Sequence, residues 1–276
     1  MKIALVSKTC VLLVGTSLIV DCNRSGDESP AKANDSPPVT CQGRSSNSPT
    51  TEQKGDMEAQ TAYENGLELI LSSEKDGDEG ALHSGRILLE NAANHAHLPA
   101  SYILARTYLR LRAPSVDEIK TGLKWLQMAA NGGFPAAQSY LGELCHAGIY
   151  GTRDDTVAAQ WFRKAAEAGD PDGMRYLYLF LAAGIGESKK PVESAQWCQK
   201  SVEAESNRED QYAMGLFFES GFGVRQDSAE AIKDYKLAAA QGHELAREKV
   251  GRSDEILRKH STGAGELEDY VNDRLD

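Results

Sequence analysis

Between residues 98 and 243, small and apolar residues return at intervals of three and four, and short glycine-bearing gaps break the runs. In Ala137-Gln-Ser-Tyr-Leu141-Gly142-Glu-Leu-Cys145-His-Ala-Gly148 that spacing predicts a helix with one buried face, ended by Gly148. A short loop leads to Val157-Ala-Ala-Gln-Trp161-Phe-Arg-Lys-Ala165-Ala166, which predicts a second helix with Trp and Ala on a shared face. Gly169-Asp170-Pro171 then breaks the chain again. The unit is a helical hairpin.

The hairpin repeats. Trp125, Trp161 and Trp197 are spaced 36 residues apart, and each is followed four and five positions later by a small pair: Ala129-Ala130, Ala165-Ala166 and the degenerate Ser201-Val202. Ala92-Ala93 and Ala238-Ala239 continue the register, which puts Leu88 and Asp234 at the Trp position. Gly133, Gly169 and Gly242 recur eight residues after that position, with Ala96 and Glu205 in the less regular copies. A fixed period with glycine punctuation predicts stacked units. Their bounds are 58–97 (degenerate), 98–134, 135–170, 171–206 and 207–243, followed by a closing helix over 244–260. Residues 261–276 read as an acidic, flexible tail.

These residues carry a family resemblance. Leu141-Gly142, Gly148, Trp161, Ala165-Ala166 and Gly169, repeated as Met214-Gly215, Gly221-Phe-Gly223-Val224, Asp227, Ala231, Ala238-Ala239 and Gly242-His243, resemble the Sel-one-like repeat (SLR), a relative of the tetratricopeptide repeat. Tyr178 departs from the pattern by replacing a Gly, and Asp234 by replacing a Trp. The resemblance implies an all-α fold, a right-handed α-solenoid of about five helical hairpins of 36–37 residues over 58–260. It also implies a non-enzymatic scaffold that binds a protein or peptide partner and carries no cofactor.

The N-terminal segment has a different composition. Lys2 and Lys8 precede an apolar run from Cys10 to Val20, too short to span a bilayer but of the length of a secretory signal core. Ile19-Val20-Asp21-Cys22 resembles a bacterial lipoprotein signal in which Cys22 is acylated after cleavage; Asp21 departs from that pattern, and a soluble periplasmic or secreted protein cut nearby is the alternative. Residues 23–57, rich in Ser, Pro, Asp, Asn, Gly and Lys, are too poor in apolar side chains to order themselves and read as a tether with a reach on the order of 30 Å. The chain is therefore expected to be exported, touching a membrane only through a lipid at Cys22.

Charge narrows the partners. Thirty Lys and Arg against 41 Asp and Glu give a net charge of −11, which repels phosphate backbones and argues against nucleic acid. The five Cys form no CxxC, and Cys145 and Cys198, on helices of different repeats, read as buried free thiols.

In such solenoids the first helices of successive hairpins line the concave wall. At 100° per residue, positions 1, 5, 8, 9 and 12 of each first helix face the core, so positions 3, 7 and 10 point outward. The outward stripe is Tyr102, Arg106 and Leu109; Ser139, Glu143 and His146; Arg175, Leu179 and Ala182; Tyr212, Leu216 and Glu219. Tyr and Arg are common hot-spot residues, so this stripe reads as a partner groove, the alternative being a solvated face with scattered apolar residues. Met174 to Leu181 is apolar nearly all round. Either Tyr178 and Leu179 form an exposed partner patch, or neighbouring hairpins close over them.

Motifs of catalysis are weak. Ser72-Ser-Glu-Lys75 matches SxxK and Lys120-Thr121-Gly122 matches KTG, but no SDN lies between them and the KTG leads into a helix rather than a strand. An envelope enzyme or β-lactam or peptidoglycan binder is thus the alternative function, although the regular within-repeat cysteine pairs of SLR proteins linked to β-lactams are absent. His95 and His97 sit together at a helix end, and His243-Glu244 lacks the second His of HExxH, so no metal is expected.

Overall fold

The computed structural model describes residues 51–111, 113–253 and 263–275. The signal, Cys22 and the tether up to residue 50 lie outside the described residues. Within them the regular structure is helical: α1 (Thr51–Asp76), α2 (Glu79–Asn94), α3 (Leu98–Leu109), α4 (Val116–Asn131), α5 (Pro135–Ala147), α6 (Asp155–Glu167), α7 (Pro171–Ala183), α8 (Pro191–Ala204), α9 (Arg208–Ser220), α10 (Ser228–Ala240), α11 (Glu244–Gly251) and α12 (Gly263–Leu275). Consecutive helices pair into five hairpins, α1/α2 to α9/α10, and each hairpin packs on the next.

Local chemistry sets the helix ends. Asp154, Asp170 and Asp227 accept backbone N–H groups at the starts of α6, α7 and α10, and Ser115 forms a reciprocal capping box with Glu118 at α4. Within hairpins, Gly148, Gly184 and Gly221 close α5, α7 and α9 in the left-handed conformation, with φ of 61°, 76° and 73°. Between hairpins, Gly133, Gly169 and Gly242 adopt φ of 89–90°. Ala96, the residue at that position in the first copy, takes φ 60° despite its Cβ.

A close pairing across three of the hairpins explains the glycine in their first helix. A Cβ on Gly142 would lie 2.6 Å from the Phe162 ring, and a Cβ on Gly215 would lie 2.5 Å from the Tyr235 ring. Gly66 faces Leu89 in the same way. The fourth hairpin reverses the assignment: its first helix carries Tyr178 and its second carries Cys198 at the Phe162 position, and both are fully buried. The bulky residue has changed helix, and its ring lies edge-on to Phe217 of α9 with centroids 6.1 Å apart. The departures at Tyr178 and Asp234 therefore leave the fold intact, Tyr235 beside Asp234 supplying the ring that fills the fifth hairpin.

Three bounds shift. The first hairpin begins at Thr51, seven residues earlier than expected, and the helix after the last hairpin is described only over Glu244–Gly251. The larger correction is at the C-terminus, where the expected flexible tail is the helix α12, docked on the stack.

Candidate functional site

Helix α12 has four apolar residues at i, i+3, i+4 and i+8: Leu267, Tyr270, Val271 and Leu275, each no more than 9% exposed. That spacing places them on one face, and the face packs on α7 and α9. Tyr270 lies edge-on to Tyr212, with centroids 5.3 Å apart, and its hydroxyl donates to the Glu209 carbonyl at 3.0 Å. Near its N-terminal end Glu266 pairs with Lys249 of α11, which also donates to Glu219 at 2.7 Å. In the middle Glu268 pairs with Lys189 at 3.2 Å, and one residue from the C-terminal end Arg274 pairs with Glu209. At the far end the His146 ring of α5 lies 2.8 Å from the Leu275 carbonyl through Nε2 and 2.6 Å from Asp155 through Nδ1. The helix thus crosses the first helices of successive hairpins from α11 to α5.

This geometry divides the stripe expected to meet a partner. Leu179, Ala182, Tyr212, Leu216 and Glu219 are buried rather than open. Two causes act together: the hairpins wrap more of each first helix than a single buried face requires, and α12 covers the stripe from the other side. Tyr212 is stacked on His243 at 4.3 Å, and Glu219 accepts from Tyr235 and Lys249. Leu109 is also buried, packed where Gly122 leaves no room for a Cβ, and its carbonyl accepts from Tyr150 at 2.9 Å. Ser139 is buried and donates to Asp170.

Tyr178 and Arg175 belong to a buried polar network. The fully buried carboxylate of Asp210 accepts from Arg175 Nε at 3.0 Å, Arg175 Nη2 at 3.2 Å, the Tyr178 hydroxyl at 2.9 Å, Ser201 at 2.6 Å and Asn207 at 3.1 Å. Burial opposes the charge on Arg175, but the hydrogen bonds and charge of Asp210 more than offset it and raise the pKa. Arg175 also reaches Asp172 at 2.7 Å. The apolar helix α7 is therefore closed over by its neighbours, with Tyr178 tying the fourth hairpin to the fifth.

What remains open is the N-terminal end of the concave face, where Tyr102, Arg106, Glu143 and Tyr176 are half-buried. Tyr102 is tilted on Phe134 at 5.3 Å and edge-on to Tyr140 at 6.4 Å, and Arg106 lies over its ring at 5.6 Å. Tyr176 stacks on Phe162 at 4.6 Å. A cavity of about 310 Å³ opens at the end of α12, walled by Tyr140, Glu143, Tyr150, Tyr176, His146 and Leu275. Burial, reinforced by the charge of Asp172, pushes the Glu143 carboxyl up to about 7, and burial with the nearby Glu143 charge pushes the Tyr176 hydroxyl up to about 12. Tyr140, Tyr150 and Tyr176 lie outside the outward positions that helical geometry picked out; a tally of aromatic residues on α5 and α7 and in the following loop would have found them.

The catalytic motifs do not converge. Ser72 and Lys75 are exposed near the end of α1, and Lys120-Thr121-Gly122 lies within α4. Among the described residues, no group of three or more His, Cys, Asp or Glu is placed to hold a metal ion, and no helix is long and apolar enough to cross a membrane. Cys145 and Cys198 are buried and form no disulfide with each other, and burial raises the Cys198 thiol well above its ordinary range.

Five stacked hairpins with small residues at their crossings define an α-solenoid. The Sel1 repeat family model matches residues 98–134, 135–170 and 209–243. The chain belongs to the Sel1-repeat (SLR) family, whose members typically serve as protein-interaction scaffolds. Among solved structures it is similar to a Sel1 repeat protein from Oxalobacter formigenes, with 23% identity and a TM-score of 0.62, covering 82% of this chain and 91% of that one. It is also similar to c5321, a protective antigen of uropathogenic Escherichia coli with an SLR fold, with 24% identity and a TM-score of 0.64, covering 81% of this chain and 48% of that one. No curated protein matches the chain.

Proposed function

We propose that the chain is a non-enzymatic, exported scaffold of a bacterial envelope that docks a protein or peptide partner at the open end of its concave face. The observation that carries this reading is the half-buried aromatic wall of Tyr102, Tyr140 and Tyr176 around Glu143, beside a cavity that the chain's own helix reaches but does not fill. Tyrosine rings offer large contact area at low entropic cost, and a desolvated carboxyl supplies a directional polar contact. The apolar run of residues 10–20 and Cys22 support export and a lipid anchor, with the segment up to residue 50 acting as a spacer. Both solved neighbours are bacterial, which supports a bacterial source.

Capture from native envelopes by wild-type chain and by a Tyr140→Ala/Glu143→Arg variant of equal melting temperature tests the docking site. The same protein recovered in equal amounts by both chains would refute it. Cys22→Ala should abolish incorporation of labelled palmitate in cells; persistent labelling would move the anchor elsewhere.

A further inference from the structure

Beyond the open end of the concave face, the part covered by α12 has the form of a helix receptor. Only one face of α12 is apolar, and its acidic residues Glu266 and Glu268 meet Lys249 and Lys189 on the rims. At 13 residues, α12 is too short to be stably helical alone, so its order depends on docking. Nor does it fill the groove. A cavity of about 540 Å³ lies between it and α9 and α11, walled in part by Leu245, which is 53% exposed, and one of about 190 Å³ lies against Ala182, Lys189 and Phe222. An occupant with bulkier side chains on the same pattern would bury surface that α12 leaves open.

We propose that the floor formed by α7, α9 and α11 is a groove for an amphipathic, acidic helix of a partner protein, and that α12 is a cis occupant which that helix displaces. The ligand class follows from what is seated there: apolar residues at i, i+3, i+4 and i+8 with acids on both flanks, the helix-in-groove mode of recognition. The tethered α12 competes at a high effective concentration, so the groove opens only to a helix that binds more tightly than α12 does. The proposal extends the scaffold reading to a second surface; it does not depend on the Glu143 cavity.

The probe is a fluorescent peptide of residues 263–276 added to full-length chain. Wild type should bind it weakly. A full-length Leu267→Asp/Val271→Asp variant, whose own helix is evicted, should bind it at least tenfold more tightly, and a peptide with the same two substitutions should not bind. Equal binding by both chains, or no binding by an evicted variant that keeps its helical circular dichroism, overturns the proposal. Hydrogen exchange on wild type gives a test that does not rely on the variant folding: the α12 amides should exchange at least tenfold faster than those of α9. Exchange of α12 only together with α9 makes it a fixed part of the stack and overturns the proposal, as would elution of wild type solely as a dimer with exchanged α12 helices. Tyr102→Ala, on the open aromatic wall but outside the lining of the cavity that Leu275 enters, should weaken envelope capture and leave peptide binding unchanged, so failure at the open end and failure here are told apart.

Discussion

Single side chains decide which of the expected contacts are available. Asp210 was not singled out by sequence, since a lone acid near a helix start reads as a cap; its five hydrogen bonds from α7, α8 and the adjoining turn emerge only once residues 175 to 210 are folded together. Asp210→Ala removes the partner of a largely buried guanidinium and should cost about 3 kcal/mol, read as a lowered denaturation midpoint. Glu143, by contrast, was legible as an outward residue, because position 7 of α5 points away from the core by helical geometry alone. Folded, it holds its proton to about pH 7 against an ordinary value of 4.5, so the native state binds more protons than the unfolded one between those values. Stability from this group therefore falls as pH rises from about 4.5 to 7 and stays reduced above. Glu143→Gln should melt with wild type at pH 4 and above it at pH 8; a constant difference across that range would contradict the raised pKa.

At the level of the helical hairpin, most of the fold was readable because a 36-residue period repeats the same packing problem several times. The Gly-against-ring pairing shows why the period survives substitution: the crossing needs one bulky and one small residue, and either helix supplies either. In the fourth hairpin Tyr178 and Cys198 meet that need in reverse. Tyr178→Gly should cost about 3–5 kcal/mol through the cavity and the lost donor to Asp210, and Cys198→Phe about 1–3 kcal/mol through overpacking. The double variant restores the pairing seen at Gly142 and Phe162, so it should be more stable than the sum of the two losses predicts by at least about 0.5 kcal/mol. Strict additivity in urea melts would show that the two side chains do not share one space. What the period could not reveal is α12, which has no counterpart in the repeat; its signal was the spacing of Leu267, Tyr270, Val271 and Leu275, submerged in an acidic composition that reads as a solvated tail.

For the whole molecule, α12 changes how the stack holds together. A solenoid's stability is close to a sum of units and nearest-neighbour interfaces, and loss at one end is not felt at the other. Here His146 and the Leu275 carbonyl meet across 129 residues of sequence, while Glu266 reaches Lys249, so one helix spans the interfaces from α5 to α11. The C-terminal hairpins thus share a clasp that α1 to α4 lack. Deletion of residues 263–276 should leave the amide protection of α1 to α4 unchanged and weaken that of α7, α9 and α11 together, because the four apolar side chains leave α7 and α9 and Glu266 leaves Lys249 of α11. Hydrogen exchange resolved by segment reads this directly. Loss of protection spread evenly over all hairpins would mean that coupling in the stack is global, whereas loss confined to α11 would mean that the crossing of α7 and α9 contributes no stability; either pattern contradicts the clasp.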